Sequence, residues 1–124
     1  MAIRVLLVED NEVYRSSLEL LLGLQPEIEI VGAVGSGAEA GPAAAAVAPD
    51  VVVMDYRLPG VDGAAATRSV LASSSAAVVC LTAEATAEER EAIVRAGAVA
   101  LVEKGGPIEA LADAIRGATR SATE

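Results

Sequence analysis

The sequence predicts a doubly wound α/β fold, with one five-stranded parallel sheet sandwiched between two layers of helices. Three observations predict it. Five short apolar runs recur along the chain: Ile3–Val8, Ile28–Val34, Val51–Met54, Val78–Leu81 and Val99–Val102. Four of them, all but Ile28–Val34, are near-continuous and rich in β-branched residues, as suits strands buried on both faces. Each run is followed by a helical pattern, and regular strand–helix alternation implies parallel pairing through right-handed crossovers. At 124 residues the chain has room for one such domain and little else.

The elements follow in order. Ile28–Val34 alternates Ile28 and Ile30 with Glu27 and Glu29, which places that strand at an edge. Glu12–Leu24 carries Val13, Leu18, Leu21 and Leu22 as a helical stripe. Gly37–Ala48 is alanine-rich but contains Gly41-Pro42; an interior proline costs about 3 kcal/mol, so this helix is expected to begin or kink at Pro42. Ala87–Ala96 is a helix stopped by Gly97. Pro107 opens the last helix, whose Ile108, Leu111, Ala112 and Ile115 repeat at i, i+3, i+4 and i+7. From Gly117 the apolar period lapses. Residues 1–120 are assigned to the domain, and residues 121–124 to a tail or the start of a linker.

Composition excludes several function classes. The chain is 53% hydrophobic with 27 alanines, no Phe or Trp, and only Tyr14 and Tyr56, so the core is aliphatic. Nine basic residues against 18 acidic ones give a net charge of −9, which opposes binding to phosphate backbones and anionic lipid. With no His and a lone Cys80, zinc sites and Ser-His or Cys-His catalysis are excluded. There is no signal-peptide pattern and no membrane-length apolar run, so a cytoplasmic location is expected.

Ligands of open parallel sheets bind beyond the carboxyl ends of the strands. There the sequence places Glu9 and Asp10 after the first strand, Asp55 at the third, Thr82 at the fourth and Lys104 at the fifth. Taken singly, each has an ordinary explanation. Asp10 reads equally well as a helix N-cap, Thr82 as a strand-end hydroxyl and Lys104 as a solvated charge. Asp55, after four apolar residues, fits that explanation poorly. Together they pose an electrostatic problem. Two carboxylates about 5 Å apart at an effective dielectric of about 20 repel by about 3 kcal/mol, so three of them need a cation. Mg²⁺ together with Lys104 would neutralise the set, and a carboxylate so placed is a plausible nucleophile towards phosphorus.

At these residues the sequence resembles the receiver domain of two-component response regulators over essentially its whole length. The motifs are Val5-Leu6-Leu7-Val8-Glu9-Asp10-Asn11, Val51-Val52-Val53-Met54-Asp55-Tyr56-Arg57-Leu58-Pro59-Gly60-Val61-Asp62-Gly63, Leu81-Thr82-Ala83, Ala96-Gly97-Ala98 and Glu103-Lys104-Gly105-Gly106-Pro107. Arg15, Leu-Pro-Gly-Val-Asp-Gly and Lys104-Gly105 are most similar to receivers of the NarL/LuxR class. The resemblance implies a flavodoxin-like (βα)5 sandwich with strand order 2-1-3-4-5. It implies that Asp55 accepts a phosphoryl group from a sensor histidine kinase. Asp10, Asp55 and the Arg57 carbonyl would bind Mg²⁺ directly, and Glu9 through water. Lys104 would pair with the phosphoryl group, while Thr82 and the Ala83 N–H would bond it once attached. It implies a switch rather than an enzyme acting on a separate substrate, controlling an output such as a DNA-binding domain, with a homodimer possible. An acyl phosphate carries about −2 where the carboxylate carried −1, an excess that would draw Thr82 inward.

Two positions depart from the family pattern. Leu101 stands where receivers carry an aromatic three residues before the lysine, so the usual ring switch is missing. The proline that follows the lysine is displaced to Pro107. Arg57 and Glu84, two residues beyond Asp55 and Thr82, would flank the approach to phosphorus, either as separate solvated side chains or as a pair closing over it. Two rival readings remain. Gly35-Ser36-Gly37-Ala38-Glu39-Ala40 matches a dinucleotide-binding G-x-G-x-x-A, but follows the second strand rather than the first. Leu101 also allows a module that acts only by protein–protein binding.

Overall fold

The computed structural model describes residues 2–57 and 62–123, with side chains described through residue 119. Leu58, Pro59, Gly60 and Val61 of the quoted motif lie outside the described residues. The elements alternate as β1 (Ile3–Val8), α1 (Glu12–Gly23), β2 (Ile28–Val34), α2 (Gly37–Val47), β3 (Val51–Asp55), α3 (Gly63–Ser73), β4 (Ala77–Thr82), α4 (Ala87–Ala96), β5 (Ala100–Glu103) and α5 (Ile108–Thr123). All strand pairs are parallel, in the order β2-β1-β3-β4-β5. The fold and the edge placement of β2 agree with the sequence reading.

Strand side chains alternate between faces, and the alternation divides the apolar residues into two cores. Val5, Leu7, Val51, Val53, Val79 and Leu81 pack under α1 and α5 with Leu18, Leu22, Leu111 and Ile115. Leu6, Val8, Val52, Met54, Val78 and Cys80 pack under α2, α3 and α4 with Ala44, Val70 and Ile93. No helix among the described residues is long and apolar enough to cross a membrane.

Three expectations are corrected. Helix α2 begins at Gly37 rather than at Pro42, which lies inside it. Gly41 explains the tolerance: it lacks the Cβ that would crowd the following proline ring. A Cβ there would also collide with Ser69 Oγ of α3, so close α2–α3 packing outweighs the local penalty. The run Val99–Val102, expected to be buried on both faces, forms the second edge strand and is only half-buried. Helix α5 continues through Thr123, with Ala118 extending its buried stripe past Gly117.

Candidate functional site

Between β1 and β3 the strand order reverses, because the chain runs outward from β1 to β2 and returns to β3 on β1's other side. That crevice is where such sheets bind ligands. The sequence-predicted carboxylates meet there: ligand atoms of Glu9, Asp10 and Asp55 all lie within 4.8 Å of one another. Glu9 is 1% exposed and Asp55 3%, whereas Asp10 is exposed.

Asp55 ends β3 with the same parity as Val51 and Val53, on the α1/α5 side, and Lys104 reaches it from the end of β5. The Lys104 ammonium donates to Asp55 Oδ2 at 2.9 Å. It also forms an ion pair with Glu9 Oε1 at 2.9 Å. The remaining oxygens accept backbone N–H groups: Asn11 donates to Glu9 Oε2 at 3.0 Å and Arg57 to Asp55 Oδ1 at 3.1 Å. Burial pushes the Glu9 carboxyl above its ordinary pKa, against the opposing pull of Lys104 and the Asn11 N–H. Burial alone would depress the Lys104 pKa, but its bonds to Glu9 and Asp55 outweigh that and raise it. Three carboxylates against one ammonium leave the pocket acidic. Its hard oxygen donors suit a divalent cation such as Mg²⁺.

Asp10 is not the helix cap. Asn11 is: its side chain accepts the Tyr14 N–H at 2.9 Å, which leaves the Asp10 carboxylate to the pocket. Arg15, from the next turn of α1, donates to the Glu9 carbonyl at 2.8 Å and pins the loop that carries both acids.

Thr82 ends β4 one residue beyond Leu81, the register partner of Asp55. It is 2% exposed, and its Oγ1 has no hydrogen-bond partner. A buried hydroxyl without a partner costs about 1–3 kcal/mol, and an oxygen brought within reach of it would recover that cost. Leu101 pairs with Cys80 and packs, half-buried, against the α2–α4 core.

The arrangement at Arg57 differs from the pairing envisaged with the Glu84 side chain. Its guanidinium forms no ion pair with the Glu84 carboxylate; it donates to the Glu84 backbone carbonyl at 2.9 Å and to the Glu89 carboxylate at 3.4 Å. Glu89 completes a capping box with Thr86 at the start of α4. Two neighbours of the site escaped the sequence reading. Glu89 was signalled by Thr86-x-x-Glu89 ahead of an apolar pattern. Tyr14 was signalled by its position one turn before buried Leu18, near the carboxyl ends of the strands. Its ring centroid lies 5.0 Å from the Lys104 ammonium.

The glycine-rich segment does not form a dinucleotide site. It follows edge strand β2 rather than β1 or β3, which flank the crevice, and Ser36 Oγ donates to the Glu39 carboxylate at the start of α2, where a pyrophosphate would need to sit.

Residues 5–116 match the family described as response regulator receiver domain. The chain belongs to that family. Among its relatives, the transcriptional regulatory protein LiaR of Bacillus subtilis (strain 168) is 34% identical over 119 residues, covering 95% of this receiver and 56% of LiaR. The response regulator domain of Thermotoga maritima CheB superposes with a TM-score of 0.90 at 27% identity, covering 97% of this receiver and 98% of that chain. A LuxR-family two-component response regulator from Aurantimonas sp. SI85-9A1 gives a TM-score of 0.90 at 27% identity, over 98% and 87% of the two chains. The receiver thus spans little more than half the length of LiaR. As a receiver domain it serves phosphorylation-dependent signalling.

Proposed function

We propose that this receiver takes a phosphoryl group on Asp55 from a sensor histidine kinase and passes the change to an output through its α4–β5–α5 face. The observation that carries the reading is a buried carboxylate ending β3, together with a buried, unpartnered Thr82 hydroxyl ending the neighbouring strand β4. Asp10, Asp55 and the Arg57 carbonyl would hold Mg²⁺, with Glu9 bonding its water; bound there, the ion would screen charge on the incoming phosphoryl oxygens.

An Asp55 oxygen attacks phosphorus in line, and the new O–P bond forms as the bond from phosphorus to the donor breaks. Lys104 stays beside Asp55 to pair with a phosphoryl oxygen. Thr82 Oγ1 gains the partner it lacks, with the Ala83 N–H alongside, and β4's end shifts inward. Because Leu101 is aliphatic and cannot hide and expose a ring, coupling runs through the backbone around Thr82 and the start of α4. The output is a DNA-binding domain like that implied by the LuxR-class likeness; the acidic receiver itself binds no nucleic acid, acts in the cytoplasm and can pair with a second copy. Leu101 favours one other reading, a single-domain regulator that acts only by binding a partner protein.

Incubation with acetyl phosphate and Mg²⁺ tests the proposal. Acid-labile, hydroxylamine-sensitive phosphate should accumulate on the wild type and be lost in Asp55→Asn. Full incorporation in Asp55→Asn would place the acceptor elsewhere.

A further inference from the structure

We infer that Tyr14 is a positioning residue for Lys104: its ring holds the ammonium against Glu9 and Asp55 and thereby sets how fast Asp55 is phosphorylated. The inference rests on the phosphoacceptor reading above.

Lys104 needs such a device. It follows the half-buried edge strand β5 and precedes Gly105, whose φ of +82° and lack of side chain give the loop little packing of its own. Its side chain is 24% exposed, and a four-carbon stem loses substantial rotamer entropy when fixed in one place. Two carboxylate oxygens at 2.9 Å flank the ammonium, and the Tyr14 ring centroid stands at 5.0 Å, within the roughly 6 Å over which a cation is drawn to a ring face. The ring also lines a cavity of about 90 Å³, together with Leu18, Leu21, Gly105 and Pro107 among others. Packing therefore does not enclose the ring on every side.

The ring suits the reaction better than a further carboxylate would. Lys104 must shift from an Asp55 oxygen to a phosphoryl oxygen as the new bond forms. A cation–π contact has no donor–acceptor axis, so it supports the ammonium throughout that shift without holding it back. It also adds no negative charge to a pocket that already has too much.

The test is the phosphorylation rate with acetyl phosphate at saturating Mg²⁺, together with the NMR shifts of the Lys104 ε-methylene protons. Tyr14→Phe, which keeps the ring, should stay near the wild-type rate and retain the upfield ring-current shift. Tyr14→Leu should be slower by about 3- to 10-fold, the size expected of a partly desolvated cation–π contact, and should lose that shift. Mg²⁺ affinity should change in neither. Tyr14→Trp should match or exceed the wild type, so the proposal stays testable if the leucine variant does not fold. A leucine variant that reacts at the wild-type rate, or a phenylalanine variant as slow as leucine, would overturn the role of the ring. A wild type that takes up no phosphate would contradict the phosphoacceptor reading itself, and the proposal with it.

Discussion

Arg57, two residues beyond Asp55, holds Glu89 of α4 at 3.4 Å while the same carboxylate oxygen accepts the Thr86 N–H at 3.0 Å. The loop after β3 is thus tied to the first turn of α4. This strap would obstruct a water approaching phosphorus from outside, the geometry that hydrolysis of an acyl phosphate needs. Arg57→Ala should speed dephosphorylation by about 2- to 10-fold. Glu89→Gln, which keeps a capping side chain but not the charge, should do the same, with the double variant short of the product of the two. Glu84→Ala should have less effect, since Glu84 contributes its backbone carbonyl. Rates followed by loss of acid-labile phosphate decide this; independent multiplication of the two effects would show that the strap is no lid.

Thr82→Val replaces the orphan hydroxyl with a methyl group of similar size. In the absence of phosphate the variant should be more stable than the wild type by about 1 kcal/mol, because an unsatisfied buried donor is removed. Urea unfolding measures it. A less stable variant would mean that Thr82 Oγ1 already has a partner in the free protein.

Mg²⁺ should raise the melting temperature of the wild type, since an ion that binds only the folded pocket stabilises by mass action. The shift should shrink markedly in Asp10→Ala, which removes the exposed member of the cluster. An equal shift in that variant would remove Asp10 from the binding set.

Cys80 lies in the middle of β4, fully buried, and burial pushes its thiol pKa up to about 12. The thiolate is the reactive form, and it is scarce at neutral pH. The folded protein should therefore resist thiol reagents at pH 8, while the urea-unfolded chain reacts at once. Rapid modification of the folded form would contradict the buried placement.

Much of the fold was legible because strands buried on both faces leave continuous Val, Leu and Ile runs, as in β1, β3 and β4. Local pattern failed where tertiary contact decided the outcome. Pro42 is tolerated because Gly41 lets α2 approach α3. β5 reads like an inner strand yet lies at the edge, since one strand's pattern does not show that its neighbour is missing. The pocket was legible because its polar residues end apolar strands, where a charge stands out. Which of Asp10 and Asn11 caps α1 could not be read, because both residue types serve. Tyr14 and Glu89 were hidden for another reason: each matters through a partner distant in sequence, Lys104 and Arg57 respectively.

The most direct measurement is the intact mass of the protein after treatment with acetyl phosphate, with Mg²⁺ and again with the metal chelated. One added phosphoryl group is predicted for the wild type with Mg²⁺, little without it, and none for Asp55→Asn. An unmodified wild type, or an Asp55→Asn variant carrying the same added mass, would contradict the assignment of Asp55 as phosphoacceptor.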